Sequence, residues 1–125
     1  VLPRLTGVLG ASTPARAAPS FDWDNRWALG DSQGPRRKTH YEDTAFEHYR
    51  ALKRCGVDID VVDEGADLSS YALVAAPMLY MVKPGVAEKL ESFVQKGGTL
   101  VATCRTGWGN SSGSRRTLIP MPTIK

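Results

Sequence analysis

A chain of 125 residues with 42% hydrophobic and 23% charged side chains has the length and make-up of one soluble domain with one core. Its net charge of +3 gathers in two short runs, Arg36-Arg-Lys38 and Arg115-Arg116. A nucleic-acid surface would instead show a basic stripe interleaved with aromatics. No apolar run approaches the roughly 20 residues that span a bilayer. Cys55 and Cys104 form neither a disulfide framework nor a paired metal motif. Both lie in apolar-patterned segments and read as buried thiols, which favours a reducing, cytoplasmic compartment.

Residues 1–14 carry prolines and glycines without periodicity and read as a linker from a preceding domain; the opening residue is Val1, as in a piece of a longer polypeptide. Ala15 to Phe21 is short and apolar and reads as a first strand, although Pro19 cannot donate to a ladder and is expected only at an edge or strand end. Phe21-Asp-Trp-Asp-Asn-Arg-Trp-Ala-Leu-Gly30 follows. Its aromatic and charged residues fit neither strict alternation nor an apolar helical stripe, so a loop that offers ring faces outward is expected.

Thr39 and Glu42 have the spacing of a reciprocal capping box. Tyr41, Ala45, Tyr49 and Leu52 recur at helical spacing, and Gly56 is placed to end that helix. Val57 to Val62 reads as a strand, Asp63 to Ser70 as an acidic connection, and Tyr71 to Ala76 as a strand buried on both faces, ended by Pro77. Pro84 suits a helix start, Val86, Leu90, Phe93 and Val94 supply its stripe, and Gly97-Gly98 stops it. Thr99 to Thr103 is a further buried strand. After Gly107 the pattern lapses into a Gly/Ser-rich, Arg-Arg-containing tail, residues 108–125.

This order predicts an α/β domain over residues 15–107: an open, mostly parallel sheet flanked by helices, flavodoxin-like, truncated or altered at its C-terminal end. Such sheets carry their crevice at the carboxyl ends of the strands. The aromatic stretch, Pro77-Met-Leu-Tyr80 and Cys104-Arg-Thr-Gly107 should therefore share one edge.

Catalytic chemistry is sparse. Cys104 has the strand-to-turn placement of a nucleophile, but the two histidines, His40 and His48, fall on the first helix, and no glycine stands two places before Cys104. Asp22 with Asp24 and Asp58 with Asp60 are carboxylate pairs without a cleft between them, and the second pair reads as the solvent face of an edge strand. Metal-ligand spacing, a phosphate loop and a cofactor motif are absent from the sequence. Phe21, Trp23 and Trp27 have two readings on composition alone: packing onto their own domain, or an interface, where tryptophan and arginine most often carry binding energy. A sugar-facing loop is a third.

Phe21 to Leu29, with Asp31-Ser-Gln-Gly-Pro35 after it, resembles the signature of the middle domain of family 42 glycoside hydrolases, the β-galactosidases. The likeness continues through Tyr49-Arg-Ala-Leu52, Val57 to Asp63, Tyr71 to Pro77 and Gly97 to Thr103. The resemblance implies a flavodoxin-like fold, similar to class I glutamine amidotransferases, that drives assembly of a homotrimer beside a (β/α)8 catalytic barrel. The catalytic glutamates would belong to the barrel, so no catalytic residue, metal or cofactor is expected in this chain. The parent would hydrolyse terminal β-galactosides by a retaining mechanism. Phe21, Trp23, Asn25, Arg26 and Trp27 would serve as interface or active-site wall. Two rivals stand beside this reading: a stand-alone amidotransferase-like hydrolase using Cys104, and a sugar-binding module.

Overall fold

Three of the apolar runs line up side by side in the computed structural model, which describes residues 7–31, 40–103 and 109–110. In chain order the elements are β1 (Ala17–Pro19), α1 (Trp23–Asp31), α2 (Tyr41–Arg54), β2 (Leu73–Ala76), β3 (Met81–Val82), α3 (Val86–Gln95), β4 (Thr99–Ala102) and β5 (Gly109–Asn110). The main sheet is parallel with order β1-β2-β4, while β3 and β5 pair in parallel as a separate ribbon. The chain is a small α/β domain, as its pattern of elements predicts.

Strand alternation divides the core. Ala18, Val74 and Leu100 share one register and pack with Val86, Leu90 and Phe93 of α3, joined by Val62, Leu68, Ala76 and Leu79. Pro19, Ala75 and Val101 share the next register and therefore face the other side. There Pro19 meets Ala45, Phe46 and Tyr49 of α2 across an apolar groove. β2 is buried, as its unbroken apolar run predicts. β4 departs from expectation: Val101 is 40% exposed. Among the described residues it is the marginal strand of the sheet, and α3 covers only the face that carries Leu100.

Pro19 explains a second departure. Val57 to Val62 is not a continuous strand but touches β1 through two isolated parallel bridges, Ala17 with Ile59 and Ser20 with Val62. The Asp60 amide donates to the Ala17 carbonyl, the Val62 amide donates to the Pro19 carbonyl, and the Phe21 amide donates to the Val62 carbonyl. The two pairs between these bridges would each need a bond from the amide of residue 19 to the Asp60 carbonyl, and proline has no such hydrogen. One missing donor thus interrupts the ladder twice. Pro19 itself is the last residue of β1, a strand-end position of the kind expected for it.

α2 and α3 end alike. At α2 the Gly56 amide donates to the Lys53 carbonyl and the Val57 amide to the Leu52 carbonyl; at α3 the Gly97 amide donates to Val94 and the Gly98 amide to Phe93. Gly56 has φ 72° and Gly97 φ 95°. These are Schellman endings, in which glycine takes the left-handed conformation without a Cβ penalty. The starts differ from expectation. α2 is N-capped by His40 without a side-chain cap bond, Thr39 lies outside the described residues, and Glu42 turns instead to Arg26. Pro84 stands before α3, whose N-cap is Gly85.

Two glycines make separable predictions. A Cβ on Gly98 would lie 2.3 Å from the Phe93 ring, so Gly98→Ala should cost about 1–3 kcal/mol through overpacking. Gly30 lies inside α1, and a Cβ placed there would meet nothing within 4 Å. Gly30→Ala should therefore gain about 0.5–1 kcal/mol. Urea unfolding midpoints of the two variants should move in opposite directions.

Candidate functional site

The aromatic stretch expected to be a loop is largely helix, and its start explains why. The Asp22 Oδ2 accepts from the Asn25 amide at 3.1 Å, an N-cap bond three residues ahead, and the Asp22 carbonyl accepts the first helical bond from Arg26. The residues that α1 buries are Asn25 and Leu29. One is polar, so the helix has an inner face without an apolar stripe.

Asn25 is the centre of a buried network at the carboxyl ends of the strands. Its Nδ2 donates to Asp22 Oδ2 at 2.9 Å, to Glu64 Oε1 at 2.7 Å and to the Met81 carbonyl at 3.2 Å. Its Oδ1 accepts from the Met81 amide at 2.7 Å. Lys83 closes the arrangement: its Nζ lies 2.9 Å from Asp22 Oδ1, 2.7 Å from Asp24 Oδ2 and 3.8 Å from Glu64 Oε2. Tyr41 of α2 accepts from the Asp22 amide through its hydroxyl at 3.0 Å. Beyond β2 the chain turns through Met78, whose φ is 47°. That left-handed conformation is costly for a side-chain-bearing residue. It is held by burial of Met78 against Leu29 and Tyr41 and by donation of its amide to Thr103 Oγ1 at 2.7 Å. The turn delivers Met81 and Lys83 to α1.

The charges respond to burial. Glu64 is raised to about 7, first by desolvation and then by the charge of Asp22, which together outweigh Lys83 and the Asn25 bond. Lys83 is raised by its bonds to Asp24 and Asp22. Burial raises Tyr41 as well. A cleft of about 470 Å³ adjoins the cluster, lined among others by Asp63, Glu64, Lys83, Pro84 and Lys89. Lys89 is committed elsewhere, donating to the carbonyls of Glu64, Gly65 and Ala66. Among the described residues no group of three or more His, Cys, Asp or Glu is placed to hold a metal ion. Three carboxylates gripping one ammonium, with an amide between them, form a clamp rather than an acid–base pair.

The outer face of α1 is different. Trp23 is 58% and Trp27 61% exposed, with ring centroids 6.3 Å apart. Phe21 meets Trp23 edge-on at 5.3 Å and Tyr41 at 5.1 Å. The Arg26 guanidinium lies 5.6 Å from the Trp23 ring centroid and pairs with Glu42, which its own helix-start amide and then Arg26 hold below the usual carboxylate range.

Of the five residues singled out from the sequence, Trp23, Arg26 and Trp27 are gathered on this outer face, and Phe21, just before the helix, packs half-buried between Trp23 and the Leu29–Tyr41–Met78 cluster. Asn25 is fully buried on the opposite side, where its bonds hold the helix that displays Trp23, Arg26 and Trp27. Glu64, Lys83 and Tyr41 escaped the sequence reading. Pro77 to Tyr80 does share the strand-end edge with the aromatic stretch, whereas Cys104 to Gly107 lies outside the described residues. Cys55, read as buried, is exposed because it is the C-cap of α2. Asp58 and Asp60 face solvent as expected, with Asp60 accepting from the Tyr71 hydroxyl. His48 bonds the Thr44 carbonyl within α2.

The sequence profile of the family described as "Beta-galactosidase trimerisation domain" matches residues 15–119. A β-galactosidase of Alicyclobacillus acidocaldarius is 55% identical over 108 residues, 86% of this chain and 16% of that protein. One from Clostridium perfringens is 45% identical over the same coverage. Among solved structures, the β-galactosidase from Rahnella sp. R3 superposes with a TM-score of 0.85 at 45% identity, covering 94% of this chain and 17% of that one. That from Bacillus circulans sp. alkalophilus gives 0.86 at 40% identity, covering 91% and 17%. The chain therefore spans 16–17% of the length of these relatives.

The two faces of α1 should answer mutation differently. Asn25→Ala strips a shared donor from two buried carboxylates and should cost about 2–4 kcal/mol. Trp27→Ala, at an exposed position, should change stability by no more than about 0.5–1 kcal/mol. Equal unfolding midpoints for the two variants would contradict the division of labour.

Proposed function

Since the chain belongs to the trimerisation-domain family of the family 42 β-galactosidases, we propose that it is the assembly module of an enzyme that removes terminal non-reducing β-D-galactose residues by a retaining mechanism. The domain occupies residues 15–107, has the flavodoxin-like type of α/β fold, and is non-catalytic by itself. It packs on a (β/α)8 barrel that carries the catalytic glutamates and joins three copies of the polypeptide in the cytoplasm. The chain's coverage of only 16–17% of the relatives named above supports a part of a larger enzyme over a stand-alone hydrolase using Cys104 or a separate sugar-binding module. No helix among the described residues is long and apolar enough to cross a membrane.

Within that role, Phe21, Trp23, Arg26 and Trp27 form the contact surface, and Asn25 is its internal anchor. The supporting observation is the contrast across α1. Two large indoles stay in solvent side by side, while the helix beneath them is fixed by the side-chain bonds of Asp22 and Asn25. A rigid helix that presents exposed aromatics and an arginine already held in place loses little side-chain freedom on binding, and those residue types dominate interface energies.

In the full-length enzyme, Trp23→Ala and Trp27→Ala should each weaken the trimer by about 1–2 kcal/mol, raising the subunit dissociation constant about 5- to 30-fold. Light scattering across a dilution series reads this directly. Variants that remain trimeric at every concentration, with full galactosidase activity, would remove the surface from this role.

A further inference from the structure

Within the cluster at the strand ends, the cation is already committed. Lys83 Nζ is within hydrogen-bond distance of Asp22 and Asp24 but 3.8 Å from Glu64 Oε2. That oxygen is buried and has no hydrogen-bond partner among the described residues, and the Glu64 side chain is only 4% exposed. The other oxygen, Oε1, shares the Asn25 Nδ2 with Asp22 Oδ2 and the Met81 carbonyl. An amide nitrogen has two protons for these three acceptors. Glu64 is therefore the odd carboxylate: buried, half-donated to, and set against Asp22 across a single amide.

We propose that Glu64 is a proton-linked latch for α1, closed when its carboxyl is neutral and loosened when it ionises. The charged and titratable groups around it come from every neighbouring element. Asp22 and Asp24 come from the start of α1, Tyr41 from α2, Asp63 from its own loop, Lys83 from beyond β3, and Lys89 from α3, the last bonded to the Glu64 carbonyl. Neutral Glu64 leaves Asp22 and Asp24 to Lys83 and keeps its acceptor on Asn25. Ionised Glu64 adds a second buried negative charge beside Asp22, 3.8 Å from an ammonium that Asp22 and Asp24 already hold at 2.9 and 2.7 Å, and the strain falls on Asn25, which ties α1 to the 63–64 loop and to Met81.

The sign follows from the shift of Glu64 to about 7 from 4.5. A carboxyl raised in the folded state favours that state most below its unfolded value, and the advantage is lost as pH rises through the folded value. The α1 anchor is firm in mild acid and weakens toward alkaline pH. If α1 carries the assembly surface, as in the preceding reading, the firmness of that surface follows the same titration.

Hydrogen exchange by mass spectrometry on the full-length polypeptide tests this, with peptides over residues 23–31 and the α3 peptide over residues 86–95 as internal reference. After correction for intrinsic rates, α1 protection relative to α3 should fall about tenfold between about pH 6 and pH 8 in the native protein. It should stay level in Glu64→Gln, which keeps the acceptor for Asn25. Constant relative protection in the native protein would overturn the latch whether or not the variant folds. So would a variant that reproduces the native decline. The exchange readout is independent of assembly: α1 protection that tracks Glu64 supports the latch even if light scattering removes the aromatic surface from the trimer contact.

Discussion

The position of α1 depends on one side-chain amide. Asn25 bonds Asp22 three residues back, Glu64 39 residues on and the Met81 backbone 56 residues on, so the start of α1, the loop at Glu64 and β3 are joined at a single point. Apolar burial cannot do this work, because Leu29 is the only apolar residue that α1 buries. A hydrogen-bonded anchor is directional where an apolar one is not. It therefore fixes how the helix is turned about its axis as well as where it lies, and with it the direction in which Trp23 and Trp27 point. Buried polar networks are stabilising only when their members are satisfied. Here the remaining imbalance concentrates on one atom, Glu64 Oε2.

The legibility of this chain divides along the same line. α2 and α3 could be read from apolar spacing and from the glycines that end them, and β2 from its unbroken apolar run, because those elements are held by burial, which leaves a periodic trace. α1 left none. Its inner face is one asparagine and one leucine, and the Asp22 cap is recognisable only once the helix is suspected. Val57 to Val62 has the composition of a strand, but its pairing is decided by a proline about forty positions earlier, and local pattern contains no information about that partner.

The site was legible in part for a related reason. Tryptophan and arginine next to each other announce a surface whatever lies beneath them, so Phe21, Trp23, Arg26 and Trp27 could be named from the sequence. Glu64 in an acidic loop and Lys83 before a proline look like ordinary solvated charges. Only the fold brings them to within reach of Asp22, and burial of Glu64 and the carboxylate bonds of Lys83 then give them properties their neighbours in sequence do not suggest. Asn25 was named for the company it keeps on the chain and turned out to serve the same surface from underneath.

The order of elements contains an echo. β1, α2 and the 57–62 segment that bridges back to β1 form one unit; β2, α3 and β4 form another; each helix closes on a left-handed glycine before the chain returns to the sheet. Each unit also carries an insertion between its first strand and its helix, α1 in the first and β3 in the second. The bonds from Asn25 to Met81, and from Lys83 back to Asp22, join these two insertions. The domain thus repeats one plan twice, and its polar knot is the place where the extra pieces of the two units interlock. Whatever pulls on the aromatic helix pulls, through that knot, on both halves together.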